Sequence, residues 1–367
     1  MAPPPAADPD DPQALVVTHR FASGDDGTPY TATLRLQGQR VGAGRRASPR
    51  DTFTREETVA DVVPGTGPVA VTTWIYGIDP GEWQVKAALV GPADRVAMRS
   101  TSGRGRSSGP TLDRAGWSWR RWQLTQAPEV AVATRWALLA PLARTPAVVP
   151  GSFTALAVLG IVASFVVQAM LLDRLGAPVG GGLFATFLAI VAGIVGAKLW
   201  HMVLQARPWR ESIRQGWSVD GFLVTAPLVA IVAVLVLAIP IGTYLDSATP
   251  GMYVAVSIGR LGCFFTGCCA GRPTRSRFGI RSSDRRVVAR RIPTQLLESG
   301  TGLFLALVSW AVVTNDLLGV DGLAFVLFLV AYFLVRQALL RARAESRPFS
   351  WRRSAPSGIL PGSTNPR

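Results

Sequence analysis

One arginine inside an apolar stretch is the residue of this sequence most in need of a chemical explanation. Residues 258–274 read I-G-R-L-G-C-F-F-T-G-C-C-A-G-R-P-T, and Arg260 stands among residues that would otherwise suit lipid. A charge at membrane depth is expensive, so it faces a protein interior or a wet cavity unless it can snorkel to an edge. On a helix of about 3.6 residues per turn, Gly267 and Gly271 fall near the Arg260 face. That periodicity predicts a guanidinium beside a groove without side chains, where a ligand or another backbone comes close. A second cation, Arg336, lies near the end of the last apolar run, four residues after Tyr332 and so on the same helix face. Phenol and guanidinium together suit an anionic oxygen. Snorkelling and an interfacial tyrosine account for the same pair.

The carboxylates and thiols each have a plain structural reading beside a chemical one. Gln295 and Glu298 follow Pro293-Thr294, where Thr294 as a cap and an acidic first turn would explain them. Asp220 precedes Gly221 at the start of an apolar run and reads equally as an N-cap; Asp246 follows the end of that run. Cys263, Cys268 and Cys269 are spaced C-x4-C-C with no histidine nearby. Structural zinc favours C-x2-C pairs, so the three read as small buried residues and no metal is expected. His201, the one histidine of the apolar half, carries no argument alone.

These residues must be held by helices. Apolar runs at residues 153–172, 183–204, 222–241, 252–270, 296–313 and 323–340 are each long enough, or nearly so, to cross a bilayer as a helix. Residues 130–149 form a weaker run, broken by Arg135, Arg144 and two prolines, that could be re-entrant, interfacial or a seventh span. Only helices or closed barrels satisfy their backbone in lipid. The expected fold is therefore an all-α polytopic membrane bundle of six helices with a candidate seventh. With 49% hydrophobic residues and a mean hydropathy of +0.28, the chain as a whole agrees. A net charge of +15 beside such runs points to an anionic lipid surface rather than nucleic acid.

Before the helices the texture is β. Residues 31–41 alternate, 69–78 are β-branched and aromatic, 83–90 alternate again, and Asp79-Pro80-Gly81 is a turn signal. A small antiparallel sandwich, immunoglobulin-like in outline, is expected over residues 13–98. It follows a disordered stretch at 1–12 in which no signal-peptide pattern is visible. Residues 99–148 read as a basic and aromatic linker, with Trp117, Trp119 and Trp122 among arginines as at a bilayer headgroup region. The membrane domain would span 149–345 and a disordered basic tail 346–367. Six spans put both ends and the 205–219 and 272–292 loops on one side. Eight arginines in the last loop, with Arg341, Arg343 and Arg347 after the final span, would make that side cytoplasmic.

Residues 150–343 resemble the prolipoprotein diacylglyceryl transferase family. Gly259-Arg260-Leu261-Gly262, Gly267 and Gly271-Arg272-Pro273-Thr274 are similar to its G-R-[IL]-G-N-F-x-N-G-x-x-x-G-R-x-T signature. Pro293 to Glu298 resembles H-P-S-Q-L-Y-E, Tyr332 and Arg336 its Y-x3-R, and Gly196-Ala197-Lys198-Leu199 its G-A-R-L. Ser218 to Gly221 falls where the family has S-F-H-G-G, and Asp246, Pro250-Gly251 and Gly259-Arg260 repeat its order D…P-G…G-R. The resemblance implies transfer of the diacylglyceryl group of phosphatidylglycerol to the lipobox cysteine thiol of an exported prolipoprotein, without a cofactor. It also implies a multi-pass protein of the bacterial inner (plasma) membrane, with phosphatidylglycerol and the prolipoprotein signal peptide as partners. It makes Arg260, Arg336, Tyr332 and Asp220 the catalytic candidates. Gly267, Gly271, Cys263, Gln295, Glu298 and Asp246 become the substrate-binding ones. The chain departs from the family's pattern where Asp220, Cys263, Ile292 and Thr154 replace His, Asn, His and Tyr, and the usual final span is absent. A catalytically inactive member that binds anionic phospholipid and a protein partner is the second expectation. The family's reaction would put the 272–292 loop outside the cell, which a spanning 130–149 segment would reconcile with a cytoplasmic N-terminal domain.

Overall fold

A computed structural model describes residues 13–42, 51–90, 111–205 and 218–344. The expected tails at 1–12 and 346–367 and nearly all of the 205–219 loop lie outside the described residues.

The N-terminal half is sheet. Strands β1 (Gln13–Ala22), β2 (Tyr30–Arg40), β3 (Thr52–Val62), β4 (Pro68–Tyr76) and β5 (Glu82–Val90) come first, followed by β6 (Asp113–Ser118), β7 (Gln123–Gln126), β8 (Val132–Ala133) and β9 (Arg135–Trp136). Two sheets result, one in the order β3-β2-β5-β8 and the other built on β4-β1-β6-β7. Alternation in β2 turns Ala32, Leu34 and Leu36 inward, where they meet Leu15, Val17 and Phe21 of β1 and the fully buried Trp83 of β5. Because β4 and β5 belong to different sheets, the Asp79-Pro80-Gly81 turn carries the chain from one layer to the other. Gly81 takes φ 146° there, a value open to glycine.

The first sheet is completed from the far half of the chain. Between two helices, β10 (Ile280–Ser283) and β11 (Val287–Arg291) form a hairpin, and β11 pairs with β4 through Val287↔Val71 and Val288↔Ala70. Ala289 enters the sandwich core. The hairpin's arginines fasten it: Arg275 donates to the carbonyls of Pro64 and Gly27, Arg281 to Pro68 at 3.0 Å, and Arg286 to Glu57 and Thr58. Three of the eight arginines that read in sequence as a topological signal thus dock this segment to the sheet, while Arg290 and Arg291 brace the loop itself.

Two expectations for residues 99–148 change. Residues 113–136 are strands of the same sheets rather than a linker. Trp122 stacks on Phe264 with ring centres 5.7 Å apart, and its Nε1 donates to the Arg281 carbonyl at 2.9 Å. Residues 130–149 form no spanning helix, because Pro141 and Pro146 leave only a short 3-10 turn, Ala137–Leu142. That turn docks Ala137 and Ala140 under Trp74 and leaves Trp136, Leu138, Leu139 and Leu142 exposed.

Among the described residues six helices follow: α1 (Ser152–Arg174), α2 (Val179–Gln205), α3 (Val219–Val236), α4 (Ile241–Thr266), α5 (Thr294–Thr314) and α6 (Leu323–Leu340). Four of them, α1, α2, α5 and α6, are long and apolar enough to cross a membrane; α3 is apolar but shorter. Outward-facing Val158, Leu159 and Val162 on α1 and Val326, Leu327 and Val330 on α6 are the surface that lipid would cover. α4 differs. It begins eleven residues before the apolar run that suggests it, and buries Asp246, Ser247, Thr249 and Ser257 against its neighbours. Its backbone approaches α1 so closely that a Cβ on Gly251 would lie 2.6 Å from the Ser164 carbonyl oxygen.

His19 lies on the β1 face that carries Leu15 and Val17 and is 1% exposed. Burial, and then the nearby positive charge of Arg114, lower its pKa to about 4, against a small opposing effect from the Val85 backbone. The unfolded chain therefore binds a proton near pH 6.5 that the folded chain refuses until about pH 4. Stability is complete above pH 6.5 and falls across that window, by roughly 3 kcal/mol in all. Urea unfolding of wild type and His19→Gln between pH 7 and pH 4 should show this slope in the wild type alone.

Candidate functional site

The site forms where the end of α4, the start of α5 and a returning C-terminal strap meet. α4 stops at Thr266 because Gly267 takes the left-handed conformation (φ 75°), and the N–H groups of Gly267 and Cys268 turn back to the Cys263 carbonyl, both at 3.0 Å. The expectation that Gly267 and Gly271 share a helix face with Arg260 is therefore overturned. Gly267 caps the helix, and Gly271 lies in the following loop, where a Cβ would collide with the Ile292 carbonyl. Gly271 is needed for that approach: residues 270–274 are held on one side by Ile292 and Arg290 and on the other by Ala342 and Ala344. The strap after α6 thereby brings Arg343 back over the bundle.

Glu298 is the centre of the arrangement. Its Oε2 lies 2.6 Å from Nε of Arg260, and Nη2 of Arg343 donates to Oε1 at 2.6 Å and to Oε2 at 2.8 Å. The carboxylate is 1% exposed, while the guanidine-bearing side chains of Arg343 and Arg260 are 6% and 15% exposed. Glu298 is thus no part of a helix-start signal: α5 begins at Thr294, and the Thr294 hydroxyl donates to the Cys269 carbonyl. Gln295 donates to the Cys268 carbonyl at 2.9 Å. Two guanidiniums against one carboxylate leave the cluster one positive charge in surplus. Such an excess in a poorly solvated place invites an anion.

Tyr332 and Arg336 extend the cluster along α6. Nη1 of Arg336 lies 3.5 Å from the Tyr332 hydroxyl, and Tyr332 is in turn an electrostatic neighbour of Arg260. Its ring packs 5.7 Å from that of Tyr253. Unlike Arg260, Arg336 has no carboxylate partner among the described residues. Three sealed polar atoms near this constellation lack hydrogen-bond partners: the Tyr253 hydroxyl, Gln295 Oε1 and Arg343 Nε. Cys263, Cys268 and Cys269 adjoin it, with sulfurs all within 4.8 Å of one another. A cavity of about 830 Å³ between β3, the β10–β11 hairpin and the start of α1 touches Cys268, but Arg260, Tyr332 and Arg336 do not line it.

Two sequence-derived candidates stand apart. Asp246 caps α6, its carboxylate accepting from the N–H groups of Gly322 at 2.7 Å and Phe325 at 3.0 Å. It sits fourteen residues before Arg260 on α4, about 21 Å along the helix axis. Asp220 is exposed in the first turn of α3 and has no hydrogen bond or ion pair with the Arg260 cluster. Conversely, Arg343 and Tyr253 belong to the site without having been singled out in the sequence.

Four apolar helices of spanning length, with buried arginines gathered where α4 ends and α5 begins, define the class as a helical membrane protein. A model of the family described as prolipoprotein diacylglyceryl transferase matches residues 150–356, and the chain belongs to that family. Similar proteins include three called phosphatidylglycerol–prolipoprotein diacylglyceryl transferase. The one from Chloroflexus aggregans is 32% identical over 104 residues, covering 26% of this chain and 33% of the relative. One from Dehalococcoides mccartyi is 27% identical over 166 residues, 43% of this chain and 63% of the relative. One from Clostridium tetani is 24% identical over 128 residues, 32% of this chain and 51% of the relative. The chain thus spans between a third and just under two thirds of these relatives' lengths.

Proposed function

We propose that this protein transfers the diacylglyceryl group of phosphatidylglycerol to the lipobox cysteine thiol of exported prolipoproteins, as a multi-pass protein of a bacterial inner membrane. The observation that carries the reading is a surplus of positive charge on the matched part of the chain: Arg260 and Arg343 share the buried Glu298 carboxylate, and Arg336, beside Tyr332, has no ion pair among the described residues. In the reaction the acceptor sulfur forms a bond to the glycerol carbon that bears the phosphate. The bond between that carbon, which belongs to the diacylated glycerol, and the phosphate oxygen breaks with its electron pair leaving on the oxygen of glycerol phosphate, and the thiol proton passes to solvent. Charge grows on the departing glycerol phosphate, so cations fixed beforehand lower the barrier. Arg336, which contacts the Tyr332 hydroxyl and has no ion pair among the described residues, would hold the phosphate through its planar fork. Arg260, oriented by Glu298, would supply long-range charge, and the Tyr332 hydroxyl would donate to a phosphate or glycerol oxygen.

A second reading is favoured by the place of Asp220. This residue stands where the family has histidine, is exposed on α3 and does not touch the cations, so among the described residues no unpaired base adjoins the cluster to ionise the incoming thiol. On that reading the chain binds anionic phospholipid and does not transfer it. One experiment separates the two. Purified protein is mixed with phosphatidylglycerol vesicles and a lipobox peptide, and the peptide is weighed for the diacylglyceryl increment beside an active family member. An increment supports the transferase. Retention of phosphatidylglycerol without an increment supports the silent binder, and neither outcome with a working control refutes both.

A further inference from the structure

We infer that Cys263, Cys268 and Cys269 form a binding site for a soft divalent cation of the zinc type, a site the transfer reaction does not require. Three observations converge on it. The first is distance: the three sulfurs lie within 4.8 Å of one another. Zinc–thiolate bonds of about 2.3 Å place the sulfurs of one ion about 4 Å apart, so modest side-chain rotation closes the set. The C-x4-C-C spacing does not read as a zinc motif, because convergence depends on a helix end rather than on a knuckle. Cys263 is in the last turn of α4, the left-handed Gly267 reverses the chain, and Cys268 and Cys269 return toward it.

The second observation is how firmly the reversal is held. Cys269 has φ 54°, a backbone conformation that residues with a Cβ rarely take. The carbonyls of Cys268 and Cys269 accept from Gln295 Nε2 at 2.9 Å and Thr294 Oγ1 at 3.2 Å, which ties the turn to the start of α5. Ligands fixed by such outer contacts bind metal better than ligands on a free loop.

The third is charge. Arg260 and Arg343 are electrostatic neighbours of Cys269, and with Glu298 they carry a net +1. Three thiolates with a divalent ion carry −1, which this +1 balances, leaving Arg336, with no ion pair among the described residues, as the cation for a lipid phosphate. Binding releases three thiol protons to solvent and leaves a tetrahedral ion one position for water or an incoming ligand. Thiolate ligands select zinc, cadmium or cobalt over calcium and magnesium, which demand oxygen.

The chain has three cysteines in all, so any thiolate–metal signal is attributable to this cluster. The full-length protein, reduced and stripped with a chelator, would be titrated with cadmium while the ultraviolet thiolate-to-cadmium absorption is followed. Saturation at one ion per chain, reversal by zinc and protection of the thiols from alkylation by zinc are expected. Cys263→Ser, Cys268→Ser and Cys269→Ser should each remove the saturable absorption. The protection measurement uses wild-type protein, so it stands even if a variant misfolds. Absence of a saturable band, thiols that alkylate equally with and without zinc, or a disulfide between two of the three in protein purified without oxidant would each overturn the site. None of these readouts depends on lipid transfer.

Discussion

Replacing Glu298 by glutamine is expected to lower the stability of the folded chain by about 3–5 kcal/mol, the penalty for leaving buried guanidiniums without their counter-charge. Both carboxylate oxygens are engaged, by Arg260 from α4 and by Arg343 from the strap after α6. The amide removes the negative charge while keeping the shape, so the loss is electrostatic rather than a matter of packing. Arg343→Met should be milder, because Glu298 keeps Arg260. Glu298→Met combined with Arg343→Met should recover part of the loss, since apolar replacement of a whole buried pair is often close to neutral. Thermal unfolding in detergent of wild type, Glu298→Met, Arg343→Met and the double variant forms a double-mutant cycle, with Glu298→Gln measured beside it. An unchanged melting temperature for Glu298→Gln would show that the carboxylate does not hold the strap. The strap should also become more readily cleaved by protease in that variant, because Arg343 is its buried anchor.

How much of this was legible in the sequence depended on whether a residue's partner was near in the chain. The strands β2, β4 and β5 and every helix but α4 follow from local periodicity, and the structure returns them within a few residues; α4 begins eleven residues early, in a stretch that buries Asp246, Ser247 and Thr249. The β10–β11 hairpin did not emerge, although V-V-A between charged residues is a strand-like run. Eight arginines in that loop are explained as readily by membrane orientation, and only the edge of β4, some two hundred residues earlier, reveals their other use. Gly267 was misread for a different reason. The apolar run continues past it to Ala270, so the hydrophobic pattern hides a helix end that a glycine before C-C-A-G-R-P could have marked.

At the site, Arg260 was found because a charge in an apolar run is conspicuous without any knowledge of its partner. Glu298 had a cheaper local explanation as part of a helix start, and its real partners lie 38 and 45 positions away in sequence. Arg343 was read as one of a group of charges beyond the last helix. What returns it to the interior is backbone pairing between residues 270–272 and 342–344, and no side-chain pattern announces that pairing. Tyr253 is silent in the sequence because an aromatic in an apolar run is ordinary core; its distinction is a buried hydroxyl without a partner.

Arg336→Gln is expected to reduce diacylglyceryl transfer about a hundredfold to a thousandfold, with little change in melting temperature. The contrast with Arg260 is the basis of the prediction. Arg260 is already committed to a carboxylate, so removing it disturbs the fold and the field together, and its variants report on both. Arg336 is half-buried, makes one long contact with Tyr332 and contributes no ion pair among the described residues, so its loss should be read mainly in chemistry. Arg336→Lys keeps the charge but loses the two-pronged geometry that matches a phosphate, and should fall between glutamine and wild type. Tyr332→Phe should cost less than Arg336→Gln, because it removes one neutral donor rather than a fixed charge. If Arg336→Gln instead lowers the melting temperature and leaves transfer per folded molecule intact, Arg336 is a structural cation, and the phosphate must be held by Arg260 and Arg343 alone.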